Sequence, residues 1–355
     1  MNLIIVDLKN ELHGGNYSLI SNRLLKSINV ALQTGSKIVL FHNRTGYARR
    51  IICEDCRQII QCAKCELPQV GILGTENETE KAQLLRLRCP YCQSERALGI
   101  CPKCNGVKWK FLSFGLERVK TDLEKQTGAR VKLVSSLESK LSVYQSLLVD
   151  FDVLLATREP LIDVLLEGKS QLSLSAILNL DTSFYLPDFN ANLNAFNRLL
   201  QFRKFCRQQG TQNAIIQTYA PEHPTVIYGA SGDEVNFKKF ELAIRHDLNY
   251  PPGNNLIKLI CQNQSEKIAR QTASLFATEL KNLSKDYQIS PSYPSWPPQV
   301  RGQFRYQVLI KIPNQNVEPD LRPLSARSEN LQLLGQKLGA LTPSWIIDVD
   351  PISSL

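Results

Sequence analysis

The stretch "CEDCRQIIQCAKC", Cys53 to Cys65, carries two CxxC pairs separated by five residues. The spacing returns twice downstream, as "CPYC" at Cys89 and Cys92 and as "CPKC" at Cys101 and Cys104. Eight of the ten cysteines therefore fall within one segment. A CxxC knuckle puts two thiolates on one tight turn, which is half of a tetrahedral Zn²⁺ shell. Four knuckles supply two four-cysteine shells, so the pattern predicts two Zn²⁺ per chain. Redox pairs are the competing reading, but four of them crowded into one segment would be odd. Secreted disulfide frameworks are equally cysteine-dense. The start, "MNLIIVDLKNELHGG", argues against that setting, because charge arrives at Asp7 and Lys9 after only a few apolar residues. It reads as neither signal peptide nor anchor. Cys206 and Cys261 stand alone and read as small buried apolar residues.

The knuckles can pair in three ways. Nested pairing puts Cys53, Cys56, Cys101 and Cys104 on one ion and Cys62, Cys65, Cys89 and Cys92 on the other. Each half then resembles a zinc ribbon, with a knuckle at the end of each hairpin arm. Adjacent pairing needs Arg57 to Gln61 to reverse the chain within one site. Nested is the preferred arrangement, and the spacing alone leaves both open. A closed site of four cysteines is structural and carries a net charge of about −2. Arg49, Arg50, Arg57, Lys64, Arg86, Arg88 and Lys103 lie close in sequence. They can offset that charge, form a solvated face, or contact phosphates.

A chain of 355 residues exceeds one ordinary core, so two or three domains are expected. An apolar fraction of 43% argues against global disorder. No apolar run reaches the roughly 18 residues of a membrane helix. The expectation is a soluble cytoplasmic, nucleoid-associated protein in a reducing compartment, with no membrane partner. The formal charge of +9 favours a polyanionic partner such as nucleic acid. Eight thiolates around two Zn²⁺ would take back four of those charges, so placement matters more than the total.

Around the cysteines the patterning is α/β. "SLISNRLLKSINVALQTG" has apolar residues at helical spacing, with Asn16 or Ser18 as candidate caps and Gly35 at its end. "KIVLF" reads as a buried strand leading into "HNRTGYARR". "FGLERVKTDLEKQTG" reads as a helix closing on Gly128. "RVKLVSS", "FDVLLAT", "LSAILNLD" and "NAIIQTYA" read as short buried strands, with the basic helix "NLNAFNRLLQFRKFCRQ" between the last two. Such alternation predicts a mostly parallel sheet, interrupted by the cysteine region as an insertion. Past Ala220 come the breakers "PEHP" and "YPPG", the strand "NLIKLICQ", a helix, the Pro-rich loop "SPSYPSWPPQVRG", the half-buried strand "QFRYQVLIKI", a further helix and "SWIIDVDP". This is a small α+β domain.

The order "NRTGYA", four CxxC knuckles, "FGLERV", "LPDF", "YPPG", "RGQFRYQVLIK" and "DVDP" resembles the C-terminal half of the PriA family, bacterial replication-restart helicases also called primosomal protein N′. The resemblance covers nearly the whole chain. It implies a RecA-like second helicase lobe at 1–50 and 109–220, a zinc-ribbon insertion with two four-cysteine sites at 51–108, and a PriA-type C-terminal domain at 221–355. It implies the nested set of eight zinc cysteines. It also implies branched or single-stranded fork DNA as ligand, with primosome proteins and the single-stranded-DNA-binding protein as partners.

The sequence also departs from that family. No GxxxxGK(S/T) loop occurs, and "DVLLEGKS" has Asp163 where the first glycine belongs, so Gly168, Lys169 and Ser170 read as a turn. No DExH box follows a strand, so the first helicase lobe has no counterpart in these residues. "ATREP" stands where the family has Gly-Thr-Gln. "QFRKFCRQ", Gln201 to Gln208, stands where it has Gln-Val-Ala-Gly-Arg-Ala-Gly-Arg, and its basic residues are out of register with the two family arginines. An arginine finger acts by position. The expectation is a primosomal DNA-binding protein in replication restart, without an ATPase of its own and with no catalytic residues. The alternatives are a helicase half that completes a 3′ to 5′ motor with a separate first lobe, and a zinc-containing docking adaptor. Candidate nucleic-acid contacts are Asn43, Arg44, Arg49, Arg50, Arg203, Arg207, Arg301, Arg305 and Lys311. Arg305 and Lys311 share a strand face. Tyr293, Trp296 and Phe304 are read as packing groups before base-stacking ones. Asp348 and Asp350 are read as turn groups, and the four histidines (His13, His42, His223 and His246) suggest no triad.

Overall fold

The computed structural model describes the chain except residues 1, 43–49, 64–67, 74–84, 90–91, 113–114, 135–150, 158–171, 182–187, 283–286, 314–323 and 355. It divides into two compact units, one made of Met1–Cys62, Pro68–Leu186 and Asn192–Phe237, the other of Ala63–Leu67, Pro187–Ala191 and Lys238–Leu355. Among the described residues, no helix is long and apolar enough to cross a membrane.

The first unit is built on six parallel strands in the order β1 (Asn2–Asp7), β11 (Asn213–Thr218), β10 (Leu172–Ile177), β2 (Lys37–Phe41), β9 (Val153–Ala156) and β8 (Val131–Val134). Both faces are covered, which is why these strands read as continuous apolar runs. In β2, Val39 and Phe41 point into one core and Ile38 and Leu40 into the other, and all four are fully buried. Each contributes on the order of 1.5–3 kcal/mol from burial. One core closes under α4 (Ala191–Gln208) through Leu199, Phe202, Phe205 and Cys206, with Phe41 edge-on to both phenyl rings. The other closes under α2 (Asn22–Gln33) through Leu24, Ile28 and Ala31, and under α3 (Leu116–Thr127) through Leu116, Val119 and Leu123. α3 ends on Gly128 in the left-handed conformation, as its sequence predicts.

Three local features differ from the sequence reading or add to it. The cap of α2 is Ser21, whose Oγ accepts from the Leu24 N–H. Asn16 and Ser18 instead accept from amides two residues on, forming the turn that delivers the chain to the helix. The opening "NLIIVD" forms β1, paired with β11 along its whole length. α1 (Leu8–His13) follows it directly.

The second unit is an antiparallel sheet ordered β13 (Gln288–Ile289), β15 (Gln303–Pro313), β12 (Asn254–Asn263) and β16 (Trp345–Val349), with β14 (Tyr293–Val300) also paired to β15. β14 is the third such feature, since it runs through the Pro-rich segment expected to be a loop. Its prolines donate nothing to a ladder, and only Pro294 falls on a β15 partner. α7 (Glu266–Lys281) lies on one face with Ala269, Ala273 and Ala277 inward, and its cap is Ser265. α8 (Leu324–Gly339) adds Leu334 to the same core. The remaining helices are α5 (Pro224–Ser231), in the first unit, and α6 (Glu234–Asp247), which starts there and runs into the second.

Alternation along β15 predicts that its other face is exposed. It is covered instead. Gln307 donates to the Ser354 carbonyl at 2.8 Å, and Leu309 is buried. The segment Asp188–Asn190 is part of this cover. Asp188 accepts from Ser353 Oγ at 2.5 Å, and Phe189 stacks on Tyr250 at 5.2 Å. Arg245 donates to Asn190 Oδ1, to the Pro251 carbonyl and to Glu241. Thus Asp188–Asn190, Tyr250 and Pro251 of "YPPG", and Ser353 and Ser354 meet in one cluster.

Two ion pairs make the stability of this fold testable. Arg130 grips Asp152 with Nε and Nη2 at 3.0 and 2.8 Å, and its backbone N–H donates as well. The Arg130 side-chain bonds hold the Asp152 pKa down at about 2, against a smaller push upward from burial. An unfolded Asp titrates near 3.9, so this pair stabilises the fold above about pH 4 and is lost as pH falls through about 2. Asp152→Asn should flatten that acid limb, read as urea midpoints between about pH 2 and 5. The Arg245–Glu241 pair is buried, at 11% and 8% side-chain exposure. Glu241 Oε2 already lacks a partner. Arg245→Met should therefore cost about 3–5 kcal/mol, and adding Glu241→Gln should recover part of it.

Candidate metal centre

Three of the four knuckles share one backbone pattern. The first cysteine N–H donates to the carbonyl five residues on: Cys53 to Gln58, Cys89 to Ser94, and Cys101 to Gly106, each at 2.9 Å. The residue four positions on donates back to that cysteine's carbonyl: Arg57 to Cys53 and Gln93 to Cys89 at 3.0 Å, and Asn105 to Cys101 at 2.9 Å. Arg57, Gln93 and Asn105 all adopt positive φ, at 61°, 59° and 59°. For non-glycine residues this conformation is unfavourable by roughly 1–2 kcal/mol, so something holds each turn closed. The sequence offers no glycine at these positions to announce the shared turn. Cys65, in the fourth knuckle, lies outside the described residues.

Strand pairing brings the knuckles together. β3 (Arg50–Cys53) pairs with β7 (Trp109–Leu112), setting Cys53 opposite Trp109. β5 (Leu85–Arg88) runs into Cys89 and returns as β6 (Glu95–Ala97), with β4 (Val70–Leu73) on its other side. The cluster at the centre has three fully or almost fully buried apolar side chains, Ile51, Ile60 and Leu87, flanked by Leu98 and Trp109. That is little apolar burial to order a segment of this length.

The sulfurs form two groups. Sγ atoms of Cys53, Cys56, Cys101 and Cys104 all lie within 4.8 Å of one another, and so do those of Cys62, Cys89 and Cys92. Cys53–Cys104 is 3.5 Å, Cys56–Cys101 is 3.6 Å and Cys62–Cys92 is 3.7 Å. A tetrahedron with Zn–S bonds of about 2.3 Å has S···S edges of about 3.8 Å. A disulfide would need about 2.05 Å. The distances fit a metal shell and not a disulfide. Near the second group, Ser94 Oγ lies 3.4 Å from Cys62 Sγ and 3.1 Å from Cys92 Sγ, where it can donate to a thiolate. Near the first, a Cβ on Gly106 would run into Asp55 Oδ2, so a side chain there would require Asp55 to shift.

The thiols of the first group differ in acidity. Burial works against the Cys101 thiolate, but the Cys104 and Lys103 amides and the Cys56 thiol outweigh it and bring its pKa to about 7. The Gly106 amide favours the Cys104 thiolate, but the Cys56 thiol, desolvation and the other two sulfurs push it up to about 12. A metal entering this group displaces protons, so its affinity falls as pH falls.

The basic candidates among the described residues stand on several different elements. Asn43, Arg44, Arg49 and Lys64 lie outside the described residues, as do Gly168, Lys169 and Ser170, and Arg50 begins β3. Arg86 and Arg88 are paired with Glu95 at 3.6 and 2.6 Å. Arg57 and Lys103 are exposed beside the first sulfur group. Arg203 and Arg207 stand on α4, where Arg203 Nη1 donates to the Ala230 carbonyl. Burial, then the neighbouring Arg207, lowers the Arg203 pKa. Lys311 donates to the Leu248 carbonyl at 2.6 Å and sits 3.7 Å over the Tyr250 ring, and burial lowers its pKa. Arg305 donates to the Pro297 carbonyl. Arg301 is exposed at the β14–β15 turn. Trp296 is 59% exposed, whereas Phe304 packs on the core. Asp348 lies 3.7 Å from Lys258, and Asp350 is a turn residue at φ 51°.

Residues 246–352 match the family described as the primosomal protein N C-terminal domain. A replication restart protein PriA from Bacillus subtilis is 29% identical over 319 residues, covering 86% of this chain and 38% of that protein. The PriA of Thermotoga maritima is 27% identical, covering 93% of this chain and 43% of that protein. For the Synechocystis PriA the values are 26%, 98% and 41%. The chain is related to the C-terminal half of PriA. It spans about two fifths of the length of these PriA relatives.

The strained knuckle turns give a test. Asn105→Gly should leave the fold intact, since glycine accepts positive φ freely. Asn105→Val should cost about 1–2 kcal/mol or more in chemical denaturation, because a β-branched residue fits that conformation worst.

Proposed function

We propose that this chain is a PriA-type replication-restart protein that binds fork-like or single-stranded DNA, holds two structural Zn²⁺, and turns over no ATP of its own. The observation that carries the metal part is the tetrahedral spacing of the sulfurs. Cys53, Cys56, Cys101 and Cys104 would hold one ion. Cys62, Cys89 and Cys92 would hold the other, with Cys65 as the fourth ligand. When bound, the metal supplies a closed cross-link with no open position for chemistry. The residues do the rest: αL turns aim the thiolates, amides stabilise them, and Ser94 can donate to two of them.

The kinship with PriA supports the replication-restart role, and with it DNA, primosome proteins and the single-stranded-DNA-binding protein as partners. The six-stranded parallel sheet with two covered faces is consistent with a RecA-like lobe. The proposal of no ATP turnover rests on residues the chain contains. Set on Gln201, the family segment's two arginines fall on Phe205 and Gln208. Phe205 is fully buried against Phe41, so that position serves the core and cannot reach a phosphate. Arg203 and Arg207 are the candidate phosphate contacts that remain on this helix.

One sample decides the matter. Metal analysis of freshly purified protein should find two zinc ions per chain. Fork DNA should bind saturably, with affinity falling steeply as salt rises. DNA-stimulated ATP hydrolysis should be absent. Salt-independent binding, or ATP turnover by the purified chain on fork DNA, would overturn the reading. Turnover that appears only when a separate Walker-A-bearing lobe is added would favour the split-helicase alternative.

A further inference from the structure

The N-terminal edge of the parallel sheet carries a pocket that the proposed function does not use. It has a volume of about 600 Å³ and lies between α2 and the first residues of β1, β10 and β11. The loops after β2 and β10, which carry "NRTGYA" and "LPDF", leave from the opposite ends of the strands.

One stripe of α2 forms a wall. Arg23, Lys26, Ser27, Val30 and Thr34 recur at helical spacing and all line the pocket. Arg23 and Lys26 are exposed, and neither has an ion-pair partner among the described residues. Among the described residues that line the pocket, none is acidic. Two cations three residues apart on one helix, with no acidic residue among the described lining, make a local positive potential that an anion would relieve. The same wall is not wholly polar. Val30 is 62% exposed, an apolar side chain left in water beside the two cations. Facing it are Ile4 and the amide side chains of Asn2 and Asn213, which sit opposite each other at the start of β1 and β11. Fixed positive charge at one end, apolar contact in the middle and amide donors and acceptors across the gap suit a ligand that joins a phosphate to a flat, hydrogen-bonding ring.

We propose that this pocket binds a nucleoside phosphate, with Arg23 and Lys26 on the phosphate and the ring against Val30. The unit can come from a free nucleotide or from one nucleotide of a DNA strand, and a two-armed titration separates them. Labelled AMP and a labelled oligothymidylate are each titrated against the full chain by fluorescence anisotropy. The variants are Arg23→Glu, Lys26→Glu, and Lys267→Glu, an exposed lysine of the second unit, as the charge-matched control. Melting curves check that each variant folds. The expected result is saturable binding in at least one arm, weakened about tenfold or more by Arg23→Glu and by Lys26→Glu and little changed by Lys267→Glu. Sensitivity in the AMP arm assigns a free nucleotide. Sensitivity in the oligonucleotide arm alone assigns a strand, and the salt slope should then fall by about one per lost contact. If AMP does not bind and the oligonucleotide affinity responds equally to all three variants, the proposal is overturned. That outcome would leave fork binding through other residues untouched.

Discussion

Three knuckle turns among the described residues must be held closed at once, and those residues offer little apolar burial to hold them. The core between β3, β5 and β7 rests on Ile51, Ile60 and Leu87. Against that stand three non-glycine residues in the left-handed conformation and long excursions of chain between the strands. Conformational entropy of this size is not offset by three side chains. Sulfur atoms 3.5 to 3.7 Å apart are what a shared cation would hold there, at the distance a tetrahedral shell requires. With the proposed metal bound, coordination would supply here what packing among the described residues does not. The parallel sheet, by contrast, is ordered mainly by burial between its two cores.

That difference explains why the insertion can sit between β2 and α3 without disturbing either. β2 is fully buried from Ile38 to Phe41 and is flanked in the sheet by β10 and β9. Its register is fixed by partners on both sides and by two cores. The chain leaves after Phe41 and returns at Leu116, which is itself buried under the sheet. Both anchor points are tied by apolar contacts that do not depend on the sulfurs.

Much of this is legible in the sequence, for physical reasons. Short apolar runs with β-branched residues, such as "KIVLF", suit strands covered on both faces, and Gly128 marks a helix end because glycine accepts the αL conformation. The cysteine spacing shows which residues can share a shell, although the choice between nested and adjacent pairing needs the β3–β7 contact to be seen. Other features are hidden. β1 escapes notice because a short apolar run at the start of a chain invites comparison with a targeting segment before a strand. β14 is masked by its three prolines, which read as a breaker, though prolines are tolerated where a strand pairs on one side and irregularly. The covered face of β15 cannot be inferred from its alternation. Gln307 and Lys311 look like solvent-facing groups until Ser354, Leu248 and Tyr250 are placed over them.

The same covering changes how charge should be counted. A formal +9 invites a broad basic surface. Yet Lys311 and Arg305 are engaged within their own domain, Arg86 and Arg88 face Glu95, and Arg245 is locked to Glu241. Positive charge already paired with a carboxylate neutralises fewer phosphates, and a side chain tied to a carbonyl must leave it to reach one, so both add less to affinity. Among the described residues, the exposed basic groups that remain for a polyanion include Arg301, Lys267 and three groups of two. Arg57 and Lys103 lie beside the first sulfur group, Lys204 and Arg207 on the outer side of α4, and Arg23 and Lys26 at the sheet's N-terminal edge. Separate small patches of this kind suit a ligand that is itself extended or branched better than they suit one compact anion. In that way the distribution of available charge, more than its sum, fits the DNA-binding role proposed for the chain.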